Sequence, residues 1–255
     1  MLQRLEMIAL PNFPLVEPGD NLVEQIIQSL RDAALKLQHG DLLVVAQKVI
    51  SKAENRYAYL NQVEVSQHAR ELARQVGKDP RLVQLILDES EEVIKHRSGV
   101  IIVGHKLGYV HANAGIDQSN ITSDSKNPRV LLLPEDPDIS ALALRAGLEA
   151  ETGVTIPIII NDSAGRAWRN GVLGFAIGSA GFQPVTNLVG QKDLFERPLE
   201  ATYVAVADEL AAAASFMMGQ TDAAVPAVLV RGAKFSVAEV GSADLIRSRS
   251  EDLFR

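Results

Sequence analysis

The segment Ile158 to Gly171, IIINDSAGRAWRNG, concentrates groups suited to metal-assisted phosphate chemistry. Its apolar opening reads as a strand that delivers Asp162 and Ser163 at its end, where a rigid element can hold ligands in place. Asp162 offers hard oxygens for magnesium or manganese, and the Ser163 hydroxyl can complete the shell. Gly165 lets the backbone approach a phosphate, and the planar forks of Arg166 and Arg169 match phosphate or carboxylate oxygens. The same residues would also suit a surface turn, with Trp168 packed over it and both arginines in water, because strand-end aspartates are common turn formers.

Two other stretches carry matching chemistry. Ala112 to Asn120, ANAGIDQSN, is a polar, glycine-containing turn with Asp117, Ser119 and Asn120. Asp117 is the natural second carboxylate for a metal, or equally an Asx-turn closing a loop. In Gln47 to Asn55, QKVISKAEN, an apolar strand emits Lys48, Ser51 and Lys52. A lysine there can neutralise a triphosphate, although exposed lysines at strand ends are ordinary. No GxxxxGK[ST] or GxGxxG run is present, so neither a P-loop nor a dinucleotide fingerprint carries the chemistry. His39, His68, His96, His105 and His111 show no metal-ligand spacing and read as surface or core histidines.

Alternating helices and strands must position these groups. Asp20 can cap a helix whose apolar positions run from Leu22 to Leu37, with Gly40 just beyond its end. Asp41 to Ala46 then reads as a buried strand. Ser66 to Gly77 and Asp79 to Ser90 read as two short helices, the second opened by a capping Asp79 and by Pro80. Gly99 to Val103 and Tyr109 to Ala112 form a strand pair, and Val130 to Leu133 is a further strand. Asp136 and Pro137 start a helix that ends at Gly153, followed by a strand from Thr155 to Ile160 and another near Val172 to Ile177. The last long helix spans roughly Leu199 to Met218. Prolines and glycines punctuate these elements without forming a linker or a repeat, which argues against two separate domains and predicts a mixed α/β architecture with its topology left open.

Composition narrows the function. With 255 residues and 47% hydrophobic content the chain can bury a substantial core. Its apolar runs fall far short of the roughly 20 residues that span a bilayer, and Glu6, Pro11, Pro14 and Pro18 interrupt any secretion signal. A cytoplasmic protein is expected. The absence of cysteine removes thiolate chemistry and leaves oxygen or imidazole as metal ligands. A net charge of −7 with scattered lysines and arginines argues against a nucleic-acid partner.

These motifs together resemble the coenzyme F420-0:L-glutamate ligase (F420 gamma-glutamyl ligase) family. The resemblance runs end to end, through FPLVEPGD at Phe13, GDLLVVAQKVISKAEN at Gly40, ANAGIDQSN at Ala112, LLPEDPD at Leu132, NDSAGRAWRNG at Asn161, QKDLFERPLEAT at Gln191, VADELAAAA at Val206 and VLVRG at Val228. It implies a GTP- and divalent-metal-dependent ligase that adds L-glutamate to the carboxylate of a deazaflavin precursor, coenzyme F420-0, and then further gamma-linked glutamates. It also implies a single domain over 1–255 with a mixed α+β fold of two interleaved lobes, neither Rossmann nor P-loop, assembled as a homodimer. By position, Asp117, Asp162, Ser163 and Gln220 would hold a two-metal site of magnesium or manganese. Phe13, Pro14, Leu15, Val16, Gln47, Lys52 and Asn120 would contact the nucleotide, with Lys52 catalytic beside the two aspartates. Arg166 and Arg169 would take substrate or phosphate.

Two departures stand out: Ala164 occupies a position where a large apolar residue is common, and Glu196 replaces a usual glycine. The flavin-type reductase domain that some relatives carry fused at the C-terminus is not expected. A related ligase acting on another carboxylate, or a metal-dependent phosphohydrolase, would use the same residue types.

Overall fold

Local signals in the chain account for most element ends. A computed structural model describes residues 3–253; residues 1, 2, 254 and 255, the ends of the expected domain, lie outside the described residues. In chain order the elements are β1 (Glu6–Ala9), α1 (Leu22–Asp32), β2 (Leu42–Ala46), α2 (Gln47–Ala53), β3 (Tyr57–Tyr59), α3 (Gln67–Val76), α4 (Pro80–Asp88), β4 (Ser90–Arg97), β5 (Val100–His105), β6 (Val110–Ala112) and β7 (Arg129–Leu131). They continue with α5 (Pro137–Thr152), β8 (Ile158–Arg166), β9 (Arg169–Ala180), β10 (Thr186–Asn187), β11 (Tyr203–Val204), α6 (Val206–Met218) and β12 (Ala227–Arg231). Ser66, Asp79 and Asp136 cap α3, α4 and α5 through their side chains, and Gly77 and Gly153 close α3 and α5 in the left-handed conformation.

Strand ends shift by several residues, β4 was not anticipated, and three helix boundaries differ from the sequence reading. Asn21, not Asp20, caps α1, by accepting from the Val23 and Glu24 amides; Asp20 instead accepts from the Glu17 amide and the Gln25 side chain. That helix also stops at Asp32, and Leu35 and Leu37 reach the core from an irregular segment, so apolar spacing there reported burial rather than helix. Finally, α6 begins at Val206, because 199–205 contributes β11 and bends instead of a helical turn.

A five-stranded sheet in the order β1-β12-β2-β8-β9 organises the main lobe. Only β2 and β8 are parallel, with Val44 opposite Ile159 and Ala46 opposite Asn161. Leu43, Val45, Ile158 and Ile160 pack on one face against Ile26 and Leu30 of α1 and Leu144 and Leu148 of α5. Leu42, Val44 and Ile159 face Leu210, Ala211 and Ala214 of α6 on the other. Burial on both faces explains why these strands are continuously apolar. Each such side chain contributes on the order of 1.5–3 kcal/mol. The helices lie close: a Cβ at Gly178 would stand 2.5 Å from the Pro137 backbone.

Between α2 and α5 the chain builds a second lobe. It contains α3, α4, the β3–β7 pair and the antiparallel sheet β4-β5-β6. Leu72, Val76, Val83, Ile86, Ile101, Val103 and Val130 form its own core. The whole inserted lobe therefore separates β2 from its parallel neighbour β8 in sequence, which is why the alternation looked irregular. Among the described residues no helix is long and apolar enough to cross a membrane.

Two consequences can be measured. Gly178→Ala forces α5 off the sheet, and a loss of about 1–3 kcal/mol is expected in denaturant unfolding; an unchanged midpoint would show that α5 is loosely packed. The second concerns His105, which is 2% exposed, stacks on Tyr109 and accepts the Leu107 amide at Nδ1. Burial, helped by the neighbouring His111, lowers its pKa to about 4. Between about pH 6.5 and 4 the unfolded chain then binds the extra proton and the folded one does not, so stability falls as the pH drops, by on the order of 3 kcal/mol. Unfolding measured from pH 7 to 4.5 should show this slope, and His105→Phe should flatten it; equal slopes in both proteins would contradict the burial of the neutral ring.

Candidate active site at the ends of two parallel strands

At Ala46 strand β2 passes directly into α2, placing Gln47, Lys48, Ser51 and Lys52 just past the carboxyl-terminal edge of the sheet's middle strand. Beside it β8 runs through Asn161 to Asp162. The carboxyl ends of adjacent parallel strands form a natural crevice for ligands. The inserted lobe supplies the opposite wall: β6 carries His111, and the tight turn Asn113–Gly115 leads into Asp117.

Asn113 and Ala114 both have positive φ, 51° and 54°, a conformation costing about 1–2 kcal/mol for a residue with a side chain. Asn113 offsets part of this by accepting the Ile101 amide. Two backbone bonds to Leu131, at 2.9 and 3.0 Å, then pin Asp117. This turn is what aims the carboxylate.

The two carboxylates are held differently. Asp117 accepts from Gln47 Nε2 at 2.9 Å through Oδ2 and meets Lys48 Nζ at 3.3 Å through Oδ1. Gln47 is itself fixed by Ser51, whose buried hydroxyl donates to Oε1 at 2.9 Å. Lys48 also donates to the backbone and hydroxyl oxygens of Ser119, both at 3.2 Å. Asp162 accepts from its neighbour Ser163's amide at 2.7 Å and faces His111 Nε2 at 3.0 Å.

Both ring nitrogens of His111 confront acceptors, because Nδ1 lies 2.9 Å from the Ala112 carbonyl oxygen. Burial opposes the charged imidazole, yet the hydrogen bond and charge of Asp162 outweigh it and the His111 pKa rises. Burial also pushes the Asp117 carboxyl up; Lys48 opposes this and the charge of Asp162 adds to it. A buried carboxyl with a second acid beside it is an electrostatic invitation to a cation.

Lys52 is half-buried, and burial together with the repulsion of Lys48 lowers its pKa. Among the described residues it makes no hydrogen bond or ion pair, which leaves its ammonium for a ligand. The Gly19 amide, bonded to the Ala53 carbonyl at 2.9 Å, ties the Phe13–Val16 loop to the end of α2. Phe13 and Val16 anchor in the core, while Pro14 and Leu15 face outward. Asn120 donates to the Thr221 carbonyl at 2.9 Å, bringing the loop that carries Gln220 over the same edge.

Not every expected residue shares one face. A Cβ at Gly174 would lie 2.6 Å from the Ala211 carbonyl and 2.4 Å from Ser215 Cβ, so that position faces α6. Ser163 sits directly opposite Gly174 across the strand pair and shares its side. Gln220 donates to Ser215 at 3.2 Å and belongs to the same side. Asp162, one residue before Ser163, points the other way, toward His111 and Asp117.

Asp162 is also not at a strand end. Strand β8 continues beyond its last pairing with β2 and forms a two-stranded arm with β9, because residues 162–165 stay paired with 172–175. Gly165 therefore lies within the arm, and Arg166 and Arg169 lie opposite each other at its exposed tip. They stand roughly 13 Å from Asp162, at about 3.3 Å per strand residue. Trp168 is 87% exposed instead of packed over the turn.

The departures fit locally. Ala164 shares the face of Asp162 and leaves room beside it, and Glu196 adopts φ 63°, the region where glycine is at ease, while its carboxylate meets Lys192. His111 and Lys48 contact the carboxylates directly. The first was read only as a surface or core histidine, and its one available signal was its place immediately before ANAGID; the second showed only as a strand-end lysine.

Known proteins resemble the chain over nearly its whole length. The profile described as F420-0:Gamma-glutamyl ligase matches residues 12–232. A protein of Methanothermobacter thermautotrophicus named coenzyme F420:L-glutamate ligase is 42% identical over 253 residues, covering 98% of this chain and 99% of its own. Proteins of the same name from Methanocaldococcus jannaschii and Archaeoglobus fulgidus are 41% and 43% identical over 253 residues, each covering 99% of this chain and 98% and 97% of their own. By both measures, the chain belongs to the F420-0:gamma-glutamyl ligase family.

Proposed function

We propose that this chain joins L-glutamate to the carboxylate of coenzyme F420-0, and then adds further glutamates through gamma linkages, at the expense of GTP. The observation that carries the reading is the convergence of Asp117 and Asp162, from different lobes, beside Lys48 and the unpaired Lys52. Family membership supplies the substrate class.

A carboxylate is a poor acyl electrophile and needs activation. In the proposed sequence the acceptor carboxylate attacks the γ-phosphate of GTP, giving an acyl phosphate and GDP. The amine of glutamate then forms the amide and displaces phosphate. Positioning and charge neutralisation dominate such transfers, so no nucleophilic side chain is required. Lys52 and the 13–16 loop would engage the nucleotide, and Lys52 would neutralise its phosphates. Gln47 and Lys48 hold Asp117 in place, and Asn120 joins the two loops that rim the crevice. Arg166 and Arg169 suit the distal, anionic part of a long acceptor better than a phosphate beside Asp162.

The donor set fits magnesium or manganese. Among the described residues no group of three or more His, Asp or Glu side chains forms a closed cage. Paired carboxylates completed by substrate phosphates and water are the usual arrangement for magnesium. Asp117 and Asp162 would hold one ion, with Ser163 and Gln220 as donors for a second on the α6 side. Such ions, when bound, neutralise phosphate charge during transfer.

Assembly as a homodimer completes the proposal. Its support is the large apolar surface left on projecting segments, including Trp168 and Val172 on the arm, Leu194 and Phe195 in the 188–202 loop, and Phe216 on α6. Light scattering should report two chains per particle; a single chain at micromolar concentration would count against it.

For the chemistry, Asp162→Asn should lower glutamylation and GDP release together by on the order of 100-fold or more while circular dichroism stays unchanged. Near-normal turnover in that variant would overturn the assignment. Equally, GDP release by the unaltered enzyme without either acceptor or glutamate would make it a phosphohydrolase.

A further inference from the structure

His111 and Asp162 form a contact that the proposed chemistry does not yet use. His111 comes from the inserted lobe and Asp162 from the main sheet, and both side chains are largely buried, at 8% and 13% exposure. The imidazole has no freedom to turn. Its Nδ1 is engaged by the Ala112 carbonyl oxygen, and its face lies against Phe175 with ring centroids 5.9 Å apart. Nε2 is thereby directed at Asp162 Oδ2, 3.0 Å away, while Oδ1 is taken by the Ser163 amide. A carboxylate has about four lone-pair sites. One bond to each oxygen fixes the plane of the group and leaves a lone pair on each for a ligand.

The geometry points to His111 as a positioning residue that holds the Asp162 carboxylate ready for a divalent cation, an inference that rests on the metal-binding reading of Asp162 given above. The arrangement is reciprocal: Asp117, from the inserted lobe, is held by Gln47 and Lys48 of the main lobe, and Asp162, from the main lobe, is held by His111 of the inserted lobe. Without His111, Asp162 keeps only the bond to its adjacent amide and is free to swing away from Asp117. Partners that orient a ligating side chain typically change metal affinity by about 10–100-fold when removed.

The test uses Mn2+ alone, titrated into the full-length protein, with free ion followed by electron paramagnetic resonance and folding by thermal melts. His111→Phe keeps an aromatic ring against Phe175 and removes the donor; it should weaken Mn2+ binding about 10–100-fold. His111→Gln, which retains an amide donor of similar reach, should recover most of the affinity. In an Asp162→Asn background His111→Phe should change nothing further, an outcome that a merely structural role for the ring would not give. Should the Phe variant fail to fold, His111→Asn, whose amide is too short to span to Asp162, is read in its place with the same expectations. Unaltered Mn2+ affinity in the donor-less variant, alongside lost affinity in Asp162→Asn, would overturn the positioning role and leave the metal reading intact. If the unaltered protein binds Mn2+ no better than Asp162→Asn, the metal reading falls and this inference falls with it.

Discussion

The hydrogen bonds that cross between the lobes at Asp117 and Asp162 are the constraint on which the site depends. Neither lobe holds a complete site. The main sheet supplies Asp162 with Gln47, Lys48 and Lys52, while the inserted lobe supplies Asp117 and His111. Each carboxylate is oriented by a donor from the other side, so the separation of the two acids is a property of how the lobes dock and not of any local motif. A buried carboxylate without such partners is costly. The same bonds that would prepare the site therefore also favour the docked arrangement.

Much of this was legible in the chain, for identifiable reasons. Ser66, Asp79, Asp136, Gly77 and Gly153 announced helix ends because capping is a local interaction between neighbours in sequence. Boundaries failed where no such signal exists. Ala205 precedes α6 without a side-chain cap, so nothing in the sequence marks where that helix starts. Continuous apolar runs identified β2 and β8 as buried strands, but the pattern could not say that they are neighbours, since the whole inserted lobe separates them in sequence.

The site shows the same division. Asp117 lies near both Asp162 and Lys52, a grouping that residue type alone did not reveal, since it left each balanced against an ordinary turn or surface role. His111 gave no signal beyond its place before ANAGID, because a single histidine in a short strand looks alike whether its partner is water or a carboxylate contributed from 51 positions away. The split of Asp162 and Ser163 onto opposite sides was implicit in strand alternation, but only once β8 was known to run on through Arg166. Gly165, read as a place for the backbone to approach a phosphate, sits within a paired arm.

The place of β12 has a consequence for how the protein is made. Among the described residues the last strand is inserted between the first two, pairing with β1 on one side and β2 on the other. Until it arrives, β2 exposes an unpaired apolar edge, and the sheet that carries Asp162 has no continuous backing. The inserted lobe has its own core and local helices, whereas the main sheet must wait for contacts between the chain's extremes. During synthesis the half-site bearing Asp117 and His111 can thus take shape first, and the half-site bearing Asp162 is completed only after the ribosome has released β12. Formation of the crevice is thereby tied to the closing of a long-range pairing and not to any local segment.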